Sequence, residues 1–158
     1  SSDALVEEYI EGREIYVGVL GNDRLTVLPP WEMQFGSLPE GQAPIATRKV
    51  KWDRRYQERH GITTGPAREL PENVVAQIGR LTKRIYRALH LTGYARMDFR
   101  MRPDGTMYVL EANANPNLAA EEDLARSAQS GGIDYEELLA RILSLGLGYQ
   151  AAWRANEA

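Results

Sequence analysis

The sequence predicts an α+β fold with a mainly antiparallel sheet flanked by helices, and three observations carry that expectation. Two segments alternate like strands, and each is broken by a Gly-containing turn, which gives two hairpins. A long segment between them repeats apolar residues at helical spacing, and two more helical patterns follow the second hairpin. Hairpin, helix, hairpin, helices places antiparallel strands in one layer and helices in another.

In chain order, Leu5-Val6-Glu7-Glu8-Tyr9-Ile10 is a strand-like run with no helix or cap before it, as expected of a segment taken from something longer. Glu14 to Leu20 alternates, with Ile15, Val17 and Val19 on one face; Gly21-Asn22-Asp23 turns the chain and Arg24 to Leu28 returns it. Residues 29 to 65 are rich in Pro and Gly and broken by charges. They read mostly as loop, with a short strand near Met33-Phe35. Loops of that length in a domain are often functional. Pro71 suits a helix start, and Val74, Ile78, Leu81, Ile85 and Leu89 predict a helix over 72–90. Tyr94 to Arg102 and Thr106 to Asn113 form the second hairpin around Asp104-Gly105. Helices are expected near 121–130 and 134–146, separated by Gly131-Gly132 and with Asp134 as a cap. Residues 1–150 read as one partial domain, and 151–158 as a frayed helical tail or interface segment that leaves room for a homodimer.

The bulk numbers narrow the function classes. With 158 residues, 43% hydrophobic and 26% charged, the chain has the makings of one globular domain. Nineteen basic against 22 acidic residues give a net charge of -3, with no basic stripe to expect nucleic acid. Without cysteine there is no disulfide, zinc–thiolate site or thiol nucleophile. No apolar run would span a membrane and no signal peptide opens the chain, so a cytoplasmic location is expected. His60 and His90 have no partners at metal-ligand spacing, and the Trp and Met residues read as packing.

The second hairpin carries the chemistry. If Pro103 pairs with Thr106 across a two-residue Asp104-Gly105 loop, Asp98 lies opposite Glu111 and Arg96 opposite Asn113. Met97, Phe99 and Met101 then share an apolar face with Tyr108, Leu110 and Ala112, which a one-residue slip would mix with the polar one. Two carboxylates directly opposed on a sheet repel unless something cancels the charge. Arg96 and Arg100, on the same face, offer part of that. A hard divalent cation is the better partner, because Mg²⁺ takes oxygen ligands from one or two carboxylates and from substrate phosphates. Asn113 adds a neutral oxygen on the same face. The other reading is a solvated polar strand face with a surface ion cluster.

The flanking residues bear on that choice. Gly93-Tyr94-Ala95-Arg96-Met97-Asp98-Phe99, then Asp104-Gly105, then Tyr108-Val109-Leu110-Glu111-Ala112-Asn113-Ala114-Asn115-Pro116 resembles the signature of ATP-grasp ligases, most of all the D-alanine–D-alanine ligase branch. Val6 to Leu20 resembles the nucleotide segment of the same family. The resemblance implies an ATP-grasp C-terminal lobe and an ATP- and Mg²⁺-dependent (or Mn²⁺-dependent) ligase. Such an enzyme joins a small-molecule carboxylate to an amine through an acyl phosphate. It implies that Glu7 meets the adenine amine, that the backbone at Glu8 and Ile10 reads the base edge, and that Glu14 binds the ribose hydroxyls. Lys51, with Lys49 as the competing choice, would be the flap lysine on the terminal phosphate. Asp98, Glu111 and Asn113 would be the metal ligands, and Arg96 would steady charge on the acyl phosphate and tetrahedral intermediate.

The chain also departs from that branch. Asn117 stands where a glycine helps form the oxyanion hole, and Glu121-Glu122-Asp123 occupies the region of a serine that grips the substrate carboxylate. An acidic cluster disfavours a carboxylate. The departures point to an acceptor other than D-Ala, a cationic or neutral amine. The same acids also suit a helix first turn facing solvent. There is no Walker-type loop, and the family's glycine-rich phosphate hairpin and N-terminal substrate domain lie upstream of the segment present here. Two other readings stay open: a nucleotide-binding or regulatory module without turnover, and a structural interaction domain.

Overall fold

Arg13–Leu20 (β1) is the strand around which the sheet is built, hydrogen-bonded along its whole length to the antiparallel Tyr94–Met101 (β5). The structure, a computed structural model, describes residues 3–4 and 6–149. On its other side β1 pairs with Thr26–Val27 (β2) at one end and Trp31–Gln34 (β3) at the other. Thr63–Pro66 (β4) extends β3, and Met107–Asn113 (β6) extends β5, so the order is β4-β3-β1-β5-β6 with β2 also on β1. Every pairing is antiparallel. The helices are Arg48–Trp52 (α1), Arg54–His60 (α2), Glu72–Ala88 (α3), Asp123–Ser130 (α4) and Tyr135–Leu147 (α5). The α+β class expected from the sequence is the observed one.

Strand alternation sends successive side chains to opposite faces. One face presents Ile15, Val17, Val19, Ala95, Met97, Phe99 and Met101, which bury against Ile78 and Tyr86 of α3. Each side chain so removed from water contributes about 1.5–3 kcal/mol. The opposite face is covered in two places. Leu124, Ala125 and Ala128 of α4 and Leu138 of α5 pack on Leu20 and Leu28. Val50 of α1 and Tyr56 of α2 pack on Tyr16, Trp31 and Met33. Gly18 makes room for α4, because a Cβ there would come within 2.6 Å of the Leu124 and Leu28 methyl groups.

Three expectations need correcting. The stretch 29–65 is not mostly loop. Thr47 caps α1 and Asp53 caps α2 through their side chains, and Gly61 ends α2 at φ 61, so two short helices form between β3 and β4. The run before β1 is not a strand: residues 6–10 pair with nothing in the sheet. Gly12 diverts the chain at φ 150, and a Cβ there would lie 2.1 Å from the Met101 carbonyl oxygen. The turn of the second hairpin is also one residue longer. Arg102 rather than Pro103 bonds Thr106, and Gly105 takes φ 84 at the end of the turn.

That longer turn is offset by a bulge between Asp98 and Phe99, across from Val109 to Glu111. Phe99 therefore faces Val109 and Arg100 faces Tyr108, while Asp98 still faces Glu111 and Arg96 still faces Asn113. The expected apolar pairing with Tyr108 and Leu110 is lost, and Leu110 is half exposed. The tail 151–158 lies outside the described residues.

A part-buried ion pair ties the far edge together. Arg13 donates from Nε and Nη2 to both Glu32 oxygens at 2.7 Å, and its Nη2 also reaches the Arg68 carbonyl at 2.6 Å. Burial alone would push Glu32 up, but the Arg13 hydrogen bonds, the Arg68 backbone N–H and both positive charges hold it below its ordinary 4.5. A carboxylate shifted this way stabilises the fold fully above that value, and the stabilisation drains away as pH falls through the lower folded value. Acid titration of unfolding free energy checks it: stability falls below about pH 4.5 in the parent chain, with a flatter acid limb in Glu32→Gln. For Gly12→Ala, the left-handed backbone alone costs about 1–3 kcal/mol, and contact with Met101 adds to it. Urea unfolding is the measurement.

Candidate functional site

The second sheet face carries a row of charged and polar side chains between its two helical covers. Alternation puts Arg96, Asp98 and Arg100 of β5 on the face opposite Met97 and Phe99, and the neighbouring strands complete the row. Gly18, Tyr16 and Glu14 of β1 stand beside Arg96, Asp98 and Arg100 in that order, and Asn113, Glu111 and Tyr108 of β6 stand on the other side.

Asp98 is the centre. It is buried, and both carboxylate oxygens accept from Arg96, from Nε at 2.7 Å and Nη2 at 2.8 Å. This two-point geometry is the strong form of an arginine–carboxylate bond. The Arg96 guanidinium also lies over the Tyr16 ring, 4.7 Å from its centre. Burial works against the charge on Arg96, but the Asp98 hydrogen bonds and the negative charge of Asp98 and Asp123 raise its pKa. Glu111, directly across from Asp98, is exposed. Asn113 is half-buried, and its Oδ1 accepts from the Asn115 backbone N–H at 2.9 Å.

Glu14 is the second buried carboxylate of the row. Its Oε1 accepts from the Tyr16 hydroxyl at 2.7 Å and its Oε2 from Arg100 Nη1 at 3.1 Å. Arg100 also donates from Nε to the Ile10 carbonyl at 2.9 Å and from Nη2 to the Pro44 carbonyl at 2.7 Å. Arg100 thus holds the segment before β1 and the loop before α1 against the sheet. Burial pushes the Tyr16 hydroxyl well above the usual tyrosine range, and the nearby Glu14 charge and hydrogen bond push it further.

The sequence-derived positions divide into two sets. Arg96, Asp98, Glu111 and Asn113 come together on β5 and β6, with Glu14 on the adjoining strand of the same face. Glu7 and Glu8 are exposed, and Glu8 makes only a 3.6 Å surface ion pair with Arg102. Ile10 is buried. Lys51 is exposed on α1, whereas the Lys49 ammonium sits 4.5 Å over the Tyr56 ring. Arg100, expected to offset the Asp98–Glu111 repulsion, pairs with Glu14 instead, because β1 sets Glu14 directly beside it.

Sequence reasoning passed over Tyr16 as a site residue, although its parity with Glu14 marked it for the same face. It also passed over the contact at the start of α4, where Thr64 donates to Asp123. Among the described residues no three His, Cys, Asp or Glu side chains converge. The side chains that the sequence reading offers to a metal, Asp98, Glu111 and Asn113, are two carboxylates and an amide, oxygen donors of the kind Mg²⁺ takes. Among those residues no helix is long and apolar enough to cross a membrane.

The family description "D-ala D-ala ligase C-terminus" matches residues 1–144. A D-alanine–D-alanine ligase of Desulfovibrio desulfuricans is 31% identical over 145 residues, covering 92% of this chain and 43% of that protein. The uncharacterized protein y4sG of Sinorhizobium fredii is 34% identical over 149 residues, covering 92% and 41%. The D-alanine–D-alanine ligase of Bacillus anthracis in complex with ATP superposes with a TM-score of 0.66 at 26% identity, over 89% of this chain and 39% of that one. The chain thus spans about two fifths of the length of these relatives. A match over residues 1–144, on a sheet of this order flanked by these helices, shows that the chain belongs to the D-Ala–D-Ala ligase C-terminal family and has the ATP-grasp ligase fold.

Proposed function

We propose that this chain is the C-terminal lobe of an ATP- and Mg²⁺-dependent carboxylate–amine ligase. The observation that carries the reading is the opposed pair Asp98 and Glu111 with Arg96 bonded to one of them. In the proposed reaction a substrate carboxylate oxygen attacks the γ-phosphorus of ATP and ADP leaves. An amine nitrogen then attacks the acyl carbon of the resulting acyl phosphate, phosphate leaves, and the amine proton goes to solvent. Bound Mg²⁺ supplies positive charge across the phosphate oxygens.

The residues divide the remaining work. Asp98, Glu111 and Asn113 hold the cation. Arg96, partly buried over the Tyr16 ring, faces charge that develops during transfer, and a fixed cation in a low-dielectric site is worth more there than in water. Glu14 binds ribose, and Glu7, Glu8 and Ile10 meet the base. Lys51 reaches the terminal phosphate; its exposure supports it over Lys49, which is engaged on Tyr56.

The acceptor is a cationic or neutral amine rather than D-Ala. Two features favour this: Asp123 sits close enough to influence the Arg96 charge, and Glu121, two residues earlier in the chain, is exposed. The family relatives named D-alanine–D-alanine ligase give the reaction class. A module that binds nucleotide without turnover is favoured by one observation, that Asp98 and Glu14, the two buried carboxylates of the polar row, are already paired with arginines of the same chain.

Thermal unfolding separates a nucleotide site from a purely structural hairpin. Mg²⁺ and ATP at about a hundredfold excess over Kd add about 2.7 kcal/mol of stability, read as a rise in Tm. Glu111→Ala, at an exposed position, is expected to keep the fold and lose the Mg²⁺-dependent part of that rise; no rise in the full-length protein would sink the site. ADP release by the full-length protein, screened against amino acids, diamines and dipeptides, decides between ligase and binding module. Stimulation by an amine acceptor is expected, and a flat response to every acceptor favours the module.

A further inference from the structure

Tyr16 stands between the two ends of the polar row, and the sequence resemblance gives it no role. Its hydroxyl donates to Glu14 Oε1 at 2.7 Å, and its ring carries the Arg96 guanidinium at 4.7 Å. It is 2% exposed and packs with Trp31 and Met33, so neither end is free to wander. The Met33 sulfur, 3.7 Å from the hydroxyl, is a much weaker acceptor, which leaves Glu14 the stronger partner.

The bonds to Glu14 leave a definite capacity unused. A carboxylate offers about four lone-pair sites. Tyr16 takes one on Oε1 and Arg100 takes one on Oε2. Each oxygen keeps one acceptor position, and the two donors fix the plane in which those positions lie. A carboxylate held this way suits a vicinal diol, which offers two O–H donors side by side. Glu14 also lines a cavity of about 430 Å³, open to solvent, together with Gly12, Phe35, the Arg13–Glu32 pair and Glu69.

We propose that Tyr16 is the positioning residue for ribose recognition, holding Glu14 so that its two remaining acceptor sites take the 2′ and 3′ hydroxyls of the nucleotide. The proposal rests on Glu14 being the ribose acid. The Tyr16 ring, under Arg96, is expected to serve the phosphate end separately. The two functions of one side chain then come apart in Tyr16→Phe, which deletes the hydroxyl and keeps the ring.

The test measures Kd by calorimetry for three probes with Mg²⁺, namely ATP, 2′,3′-dideoxy-ATP and AMP, on the full-length protein and its Tyr16→Phe variant. The parent should prefer ATP over the dideoxy nucleotide by about tenfold or more, as hydrogen bonds to a charged group imply. In Tyr16→Phe that preference should shrink to about threefold or less, with the AMP-to-ATP ratio unchanged because the ring remains under Arg96. An undiminished dideoxy preference in the variant overturns the proposal, as does a loss shared equally by both ratios. If the parent binds ATP but shows no dideoxy preference, Glu14 is not the ribose acid and the proposal falls with it. Absence of any ATP binding by the parent is a different result, which removes the nucleotide reading itself.

Discussion

A carboxylate cannot be left bare in the middle of a sheet. Desolvating an ionised group costs several kcal/mol unless a partner answers its charge and fills its acceptor sites. This chain buries two on one face, Asp98 and Glu14, and the arrangement of that face follows from answering them. Arg96 answers the first with two hydrogen bonds, and Arg100 and Tyr16 answer the second with one each. The surplus donors of Arg100 then draw in the Ile10 and Pro44 carbonyls. Segments with no place in the sheet are thereby tied to it by a buried charge as well as by the burial of Ile10 and the packing of Leu38 and Ala46.

The division between core and site is a matter of parity. On β1 and β5 odd-numbered residues build the contact with α3, and even-numbered residues form the polar row. The same peptide bonds that make the core rigid therefore hold the chemistry one residue away from it. Tyr16 in the middle of that row and Gly18 at one end do different work, one supplying a ring beneath a cation and the other leaving space for a helix.

Alternation and helical spacing made much of this legible. The run from Val74 to Ile85 shows α3, and the parity of Arg96, Asp98 and Arg100 shows which face is polar. The Asp98–Glu111 pairing was readable too, although by a route that the structure alters: the turn is longer than the Asp104-Gly105 signal suggests, and a bulge restores the count. The helices α1 and α2 were hidden because their apolar anchors, Val50 and Tyr56, are single residues whose partners, Tyr16 and Trp31, come from distant strands. The burial of Glu14 was hidden for a related reason. Nothing near it in sequence announces Arg100, eighty-six residues away. The chain before Gly12 has strand-like composition, but both sides of β5 are already taken, by β1 and β6, so it finds no ladder there.

The bulge in β6 has a bearing on how such hairpins vary between relatives. It stands between the turn and the Asp98–Glu111 pair, so it works as a slack joint: the outer end of the ribbon and its inner end keep separate registers. One residue gained in the turn and one looped out along the strand leave the inner end where it was. A hairpin of equal total length with a shorter turn and no bulge would juxtapose the same two acids by a different path. The count of residues between the two acids therefore fixes their pairing in this chain, whichever way the residues between them are shared out between turn and bulge.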